Sequence, residues 1–210
     1  MTRAQSHVVG VALMLGLTVI ALGGLTMTVG SVLDAQAASA DATRLADEMD
    51  SALRPVETTG VHTGRLHFAD GRLHTAEREL RVRRNGTTVA TRQTDALVFE
   101  AADRRVAFVA GTIVRGQAGA AWRETDPPIT GAERPGVLVV GAPTLGSSDR
   151  AVSGAGGASV PLRTNVSHER RRLGSGQFAV AIENRTPGPF ERFFRSQTAT
   201  VSRRDFDGDG

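Results

Sequence analysis

The apolar residues of this chain fall into two regimes. Residues 8–33, reading VVGVALMLGLTVIALGGLTMTVGSVL, contain no charged side chain and no strand-like alternation. About 20 apolar residues are enough to cross a bilayer, so the run predicts a membrane helix that is apolar all round. Beyond it the helical spacing continues but becomes one-sided. Ala38, Ala42, Leu45, Met49, Ala52 and Leu53 recur at intervals of three and four, opposite Asp41, Arg44, Asp47, Glu48 and Asp50. Arg54 suits a last helical turn, and Pro55 discourages a further one. The pattern predicts one helix over residues 5–53, near 70 Å long at roughly 1.5 Å per residue. The same spacing also allows an ordinary anchor followed by a separate juxtamembrane helix.

After residue 60 the period changes to two. Asp70-Gly71 and Asn85-Gly86 are two-residue hairpin signals, and a third turn is expected near Asp103-Arg104. The first turn would pair Phe68 with Leu73 and His67 with His74. The second would set Val82 against Val89 and Glu79 against Arg92. The third would place Leu97, Phe99 and Ala101 opposite Ala110, Phe108 and Val106. Three hairpins in succession predict an antiparallel meander with one face on a core. Further along, residues 137–140 predict a short buried strand, and the Gly-, Ser- and Ala-rich residues 146–157 predict a mobile loop. Residues 159–166, 177–183 and 197–202 are strand candidates. Residues 189–194 suggest a short helix that seats aromatics. About eight strands are expected, closing as a sandwich or a curled sheet. The fold class is therefore α+β: a long N-terminal transmembrane and stalk helix over residues 5–54, an antiparallel β-rich head over 55–204, and an acidic tail over 205–210.

Composition changes this picture in few places. There is no cysteine, hence no disulfide and no thiolate metal site. All 25 basic residues are arginine, which inflates the pI to 10.9 although the net charge is only +3. Aromatics make up 4% and tyrosine is absent. Proteins that stack bases need exposed aromatics, so a nucleic-acid partner is not expected. No G-x-S-x-G, H-E-x-x-H or phosphate-loop pattern occurs, so neither an enzyme nor a cofactor is expected.

Three sets of residues invite a chemical reading. Across the first hairpin, His67 and His74 would lie about 5 Å apart at Cβ. Arg65 and Arg72 stand beside them and no acidic third ligand is evident, so the pair falls short of a metal site. The tail places Asp205, Asp207 and Asp209 ahead of Gly210, like the first half of a calcium loop without its later ligands. Glycosylation sequons begin at Asn85, Asn165 and Asn184, and they matter only if the head lies outside the cell. Asn85 at a hairpin tip is the most accessible. Asn184 is the poorest, because Pro187 follows its sequon. The Arg170-Arg171-Arg172 run reads as a solvated loop.

The start of the chain bears on location. Arg3 precedes the apolar run, while Asp34, Asp41, Asp47, Glu48 and Asp50 follow it. By the positive-inside rule the amino terminus is cytoplasmic and the head extracellular, on a single-pass membrane protein. The run exceeds the apolar core of roughly 7–15 residues that a secretory signal peptide uses, although residues 35–40 mimic a cleavage site. Arg3-Ala4-Gln5 followed by a long apolar helix resembles the class III signal of archaeal type IV pilins. Ser6-His7-Val8-Val9-Gly10-Val11 is similar to the start of haloarchaeal pilin-like proteins, with His7 where these often have Pro, and Val9 where bacterial pilins carry Glu. The resemblance implies a leader over residues 1–4, cut by a prepilin-type peptidase between Ala4 and Gln5, and a retained helix that meets other pilin-like subunits. Gly16, Gly23 and Gly30 recur every seven residues on nearly one helix face, and small residues let helices approach closely in lipid. Thr18, Thr26 and Thr28 can return their hydroxyls to the backbone. The expected function is a pilin-like cell-surface subunit, anchored by its helix and assembled into a type IV pilus-like filament. The alternative is a single-span anchored extracellular β domain that binds a ligand or surface partner without forming filaments. A third course is a secreted protein released after Ala37 or Ala40.

Overall fold

The computed structural model describes residues 3–53, 59–132, 137–145, 151–167, 169–197 and 199–204; the side chains of residues 3–13, 21, 24–31 and 132 lie outside the description. The apolar run and its amphipathic continuation form one helix, α1 (Arg3–Leu53), which no proline interrupts. Pro55, expected to end it, falls outside the described residues. The chain divides into two compact units, residues 1–40 and 41–210, and α1 contributes to both. In the first unit the described apolar side chains are uncovered: Met14 is 76% exposed and Ile20 74%. Among the described residues no helix is long and apolar enough to cross a membrane.

Among the described residues the second unit holds eleven strands and a short helix. Its main sheet is six-stranded and antiparallel, in the order β10 (Ala151–Val166), β1 (Gly60–Ala76), β4 (Ala96–Ala101), β5 (Arg104–Val109), β6 (Thr112–Arg115) and β7 (Trp122–Arg123). A smaller sheet runs β11 (Phe178–Ile182), β2 (Glu79–Arg84) and β3 (Thr87–Gln93), and β8 (Ile129–Ala132) pairs with β9 (Val137–Val140). Helix α2 (Gly188–Ser196) buries Phe190 and Phe193, as expected for residues 189–194. The architecture is α+β with an antiparallel β-rich head.

Strand alternation splits the main sheet's side chains into two cores. Leu97, Phe99, Val106 and Phe108 face one way and pack with Leu45, Met49 and Leu53 of α1. Ala96, Val98, Ala107 and Val109 face the other way and pack with Leu80 and Val82 of β2 and Phe190 of α2. Strand β4 is buried on both faces, so the layers run helix, main sheet, small sheet.

The first expected hairpin does not exist. Strand β1 runs straight through Asp70-Gly71, which pair with Ala155 and Gly154 of β10. A bulge between Phe68 and Asp70 takes the place of the turn. Pairing with a distant strand satisfies both halves of β1 at once, and that outweighs a local turn preference. There Ala69 alone stands opposite Gly156 and Gly157 of β10, and Ala69 and Asp70 are both exposed, so the alternation of β1 shifts and Leu66, Phe68 and Leu73 share the buried face. Gly71 is required for a different reason than turning. Its φ is +133°, and a Cβ there would sit 2.7 Å from the Glu100 carbonyl oxygen.

The expected loop over residues 146–157 is, from residue 151 on, part of β10, paired along β1. Its glycines fit the bulge: a Cβ on Gly154 would come within 2.8 Å of the Ala158 Cβ and 3.0 Å of the Phe68 ring. The Asn85-Gly86 turn is present, with both residues at positive φ (50° and 84°). A second bulge between Val82 and Arg83 moves the register by one, pairing Val82 with Ala90 and Glu79 with Gln93. The third turn comes one residue early, through Ala102 at φ 48°. Leu97 therefore meets Phe108, and Phe99 meets Val106; a slip of two keeps every side chain on its face. Residues 137–140 form β9 but leave Val137, Leu138 and Val139 exposed, because β9 pairs only with β8. No strand occurs over residues 197–202 among the described residues.

Helix and sheet come together at Gly64, where an added Cβ would lie 2.5 Å from the Cβ of Ala52. Replacing Gly64 by Ala is predicted to cost about 1–3 kcal/mol through overpacking. Ala52→Gly should recover part of that loss, so the double variant costs less than the sum of the singles. Urea titration of the full chain in detergent micelles measures both; strict additivity would refute the contact.

Candidate functional site

Between residues 60 and 70, β1 has a partner on one side only. Strand β10 pairs along its length, whereas β4 joins only from residue 72 onward. The other edge presents backbone donors that must be satisfied or covered. The amphipathic half of α1 does both. Glu48 Oε2 accepts the N–H of His67 at 2.6 Å, and Glu48 Oε1 lies 3.1 Å from His67 Nδ1. Asp41 Oδ2 accepts the N–H of Ala69, the residue opposite the bulge of β10, at 2.6 Å. Its other oxygen pairs with Arg44. Contacts pass from Ala52 to Asp41 along the helix as the strand passes from Gly64 to Ala69, so the two run antiparallel. Leu45 and Met49 are fully buried in the same contact. At the far side, Arg115 Nη2 donates to Thr43 Oγ1 at 2.8 Å, pairs with Glu124 at 3.0 Å and lies over the Trp122 ring at 5.2 Å.

The sequence pattern assigned Asp41 and Glu48 to the polar face of the helix. A signal for their real role exists. Asp41, Leu45, Glu48 and Ala52 follow one another at spacings of four, three and four, so both carboxylates sit in the apolar stripe itself. A carboxylate in a buried stripe needs a donor.

The other residues singled out above are placed as follows. His67 and His74 share a face of β1 but stand about 23 Å apart at roughly 3.3 Å per residue, since no turn brings them together. No group of three or more metal-binding side chains occurs among the described residues. Asp205, Asp207 and Asp209 lie outside the described residues. Arg3, Ala4 and Gln5 open α1, with side chains outside the description. A Cβ on Gly16 or Gly23 would meet nothing within 4 Å, while Gly30 falls outside the described surroundings. Thr18 Oγ1 donates to the Met14 carbonyl at 2.6 Å, as expected. Asn85 is exposed at its turn, its Oδ1 accepting the Gln177 N–H at 3.0 Å. Asn165 is exposed on β10. Asn184 is half-buried and its Nδ2 donates to the Ile182 carbonyl at 3.2 Å, which occupies the atom a glycan would need. Arg170, Arg171 and Arg172 are exposed.

What the structure offers is physical: a helix whose described large apolar side chains in the first unit are exposed, and whose amphipathic half closes the edge of the head's main sheet. A family model described as a family of unknown function, DUF7289, matches residues 3–210. No curated protein and no solved structure matches the chain.

Asp41→Leu should leave the Ala69 N–H unsatisfied, at a cost of about 1–3 kcal/mol. Asp41→Asn keeps an acceptor and should recover part of the loss. Amide exchange at Ala69 reads this directly; unchanged exchange in the leucine variant would refute the bond.

His74 adds a pH dependence. Burial of the imidazole holds its pKa below the usual histidine range; Glu100 opposes that shift, while Arg72, Arg105 and Arg185 reinforce it. The unfolded chain therefore takes up the proton first, and stability is complete above about pH 6.5 and lost as the pH falls below it. His74→Gln should flatten that slope in denaturation midpoints measured between about pH 8 and pH 5. An identical slope in the variant would place the titration elsewhere.

Proposed function

The chain belongs to the DUF7289 family, and we propose that it is a pilin-like cell-surface subunit, anchored by α1 with its amino terminus cytoplasmic and its head outside. The observation behind this proposal is the uncovered apolar helix. Met14, Leu17, Val19 and Ile20 are all more than two-thirds exposed within the chain. Each such side chain left in water forgoes about 1.5–3 kcal/mol relative to burial, so this part of α1 requires lipid or neighbouring helices. A helix satisfies its own backbone, which suits it to hydrocarbon. Its charge asymmetry, Arg3 before and Asp34 after, supports the orientation.

The resemblance of Arg3-Ala4-Gln5 to the class III signal supports trimming between Ala4 and Gln5 by a prepilin-type peptidase, with the helix retained. The retained helix then packs against other pilin-like subunits in a type IV pilus-like filament. Gly16 and Gly23 support such packing, because open space surrounds the positions where a Cβ would be. The Asp41 and Glu48 bonds give the same helix a second task in the head, where its other end closes the edge of β1.

Amino-terminal sequencing of the mature protein is the test. A start at Gln5 is expected. An intact start at Met1 or Thr2 would remove the pilin-type processing and leave a single-span tethered β domain. A start at Ala38 or Asp41 would overturn anchoring altogether. Gly23→Leu should weaken association between chains, read by cross-linking in membranes; unchanged association would show that the small-residue face is not an interface.

A further inference from the structure

The face of the main sheet turned toward the small sheet carries a cluster of charged side chains beside its apolar core. Arg72, Glu100 and Arg105 form a row across β1, β4 and β5, each step about 4.8 Å. They lie on the same face as Val98 and Ala107, two residues along their strands. His74, two residues from Arg72, joins them opposite Val98. Arg78 and Arg185 flank the small sheet, just before β2 and just after β11; both act on Arg105, and Arg185 acts on His74 as well. Arg78 is matched by Glu183 at 3.1 Å. Glu100 is the one carboxylate acting on both Arg105 and His74 among the described residues.

The cluster is short of acceptors. The Arg105 side chain is only 10% exposed, its Nε stands 3.6 Å from Glu100, and its Nη1 is sealed from solvent without a hydrogen bond. His74 Nδ1 is also buried and unpartnered. A buried guanidinium nitrogen with no acceptor is costly, and several cations around one carboxylate repel one another. Ordinary folding economy would replace Arg105 with an apolar residue, as its neighbours Ala107 and Val109 show.

We propose that this cluster binds a tetrahedral oxyanion, a sulfate or phosphate group, as a free ion or carried on a surface polysaccharide. Arg105 Nη1 supplies the buried donor, His74 Nδ1 a second when it carries the proton, and Arg72 and Arg185 close the rim. The planar guanidinium fork matches two oxygens of such an anion, and its charge is permanent. The anion replaces like-charge repulsion with charge-assisted hydrogen bonds. The proposal concerns the head alone and does not depend on filament formation.

Isothermal titration of the full-length protein in detergent micelles tests it, with inorganic sulfate and phosphate as probes and sodium chloride at matched ionic strength as control. Saturable binding of one anion per chain is expected, absent with chloride. Arg185→Gln removes an exposed side chain that makes no hydrogen bond or ion pair among the described residues, so the variant should fold and bind at least about tenfold more weakly. Arg105→Gln should abolish binding; should that variant not fold, Arg185→Gln still decides. Arg171→Gln, on the exposed loop, should bind like the parent. A sulfated monosaccharide titrated beside inorganic sulfate separates the sources: tighter binding of the sugar means a carried group, equal binding a free ion, and both uphold the site. Absence of saturable binding, equal binding of chloride, or an Arg185→Gln variant that binds like the parent overturns it.

Discussion

The open edge of β1 is the constraint on which the head depends. A strand paired on one side only exposes donors that neither a core nor a neighbouring strand can satisfy. Here a helix supplies two carboxylates, and each takes one backbone N–H: Glu48 that of His67, Asp41 that of Ala69. The apolar stripe of Leu45, Met49 and Leu53 supplies most of the attraction, about 1.5–3 kcal/mol for each side chain fully buried. That attraction tolerates sliding. Two charge-assisted bonds at fixed positions, and a glycine that admits Ala52, do not. The carboxylates and Gly64 therefore select one register of helix on strand.

The bulge at Ala69 links this dock to the rest of the sheet. Without it, Leu66 and Phe68 would face one way and Leu73 the other, and the core against α1 would lose a member. Opposite it, β10 carries Gly154, Gly156 and Gly157, which admit the Phe68 ring and the positive φ angles that the irregular pairing requires. The same β1 continues past the bulge to Arg72 and His74, where the sheet turns a polar cluster toward its second core. One strand thus meets the helix at one end and the arginine cluster at the other.

Helix α1 joins two environments with different physics. In its first unit the described large apolar side chains, among them Met14, Leu17 and Ile20, are exposed. In its second the helix is one layer of a packed domain. A change of pattern from apolar all round to one-sided, within an unbroken helix, is the covalent form of that change in surroundings.

The long helix and its change of character were determined by the sequence itself, because helical period and apolar length are local properties that 51 residues repeat many times. The Asn85-Gly86 turn was legible for the same reason: two residues of positive φ suffice to specify it. The buried face of Leu97, Phe99, Val106 and Phe108 was legible too, since a slip of two leaves strand faces unchanged. Tertiary structure decided what local signals could not. Asp70-Gly71 carries the residues of a turn, yet lies within a strand because β10, some eighty positions away, pairs through it. Glycines of residues 154–157 look like a loop until that same pairing shows what they admit. Asp41 and Glu48 occupy an apolar stripe, but only the docked edge of β1 reveals which donors they meet. Arg72, Glu100, Arg105 and His74 belong to three strands, and a cluster of that kind exists only once the sheet has placed them on one face.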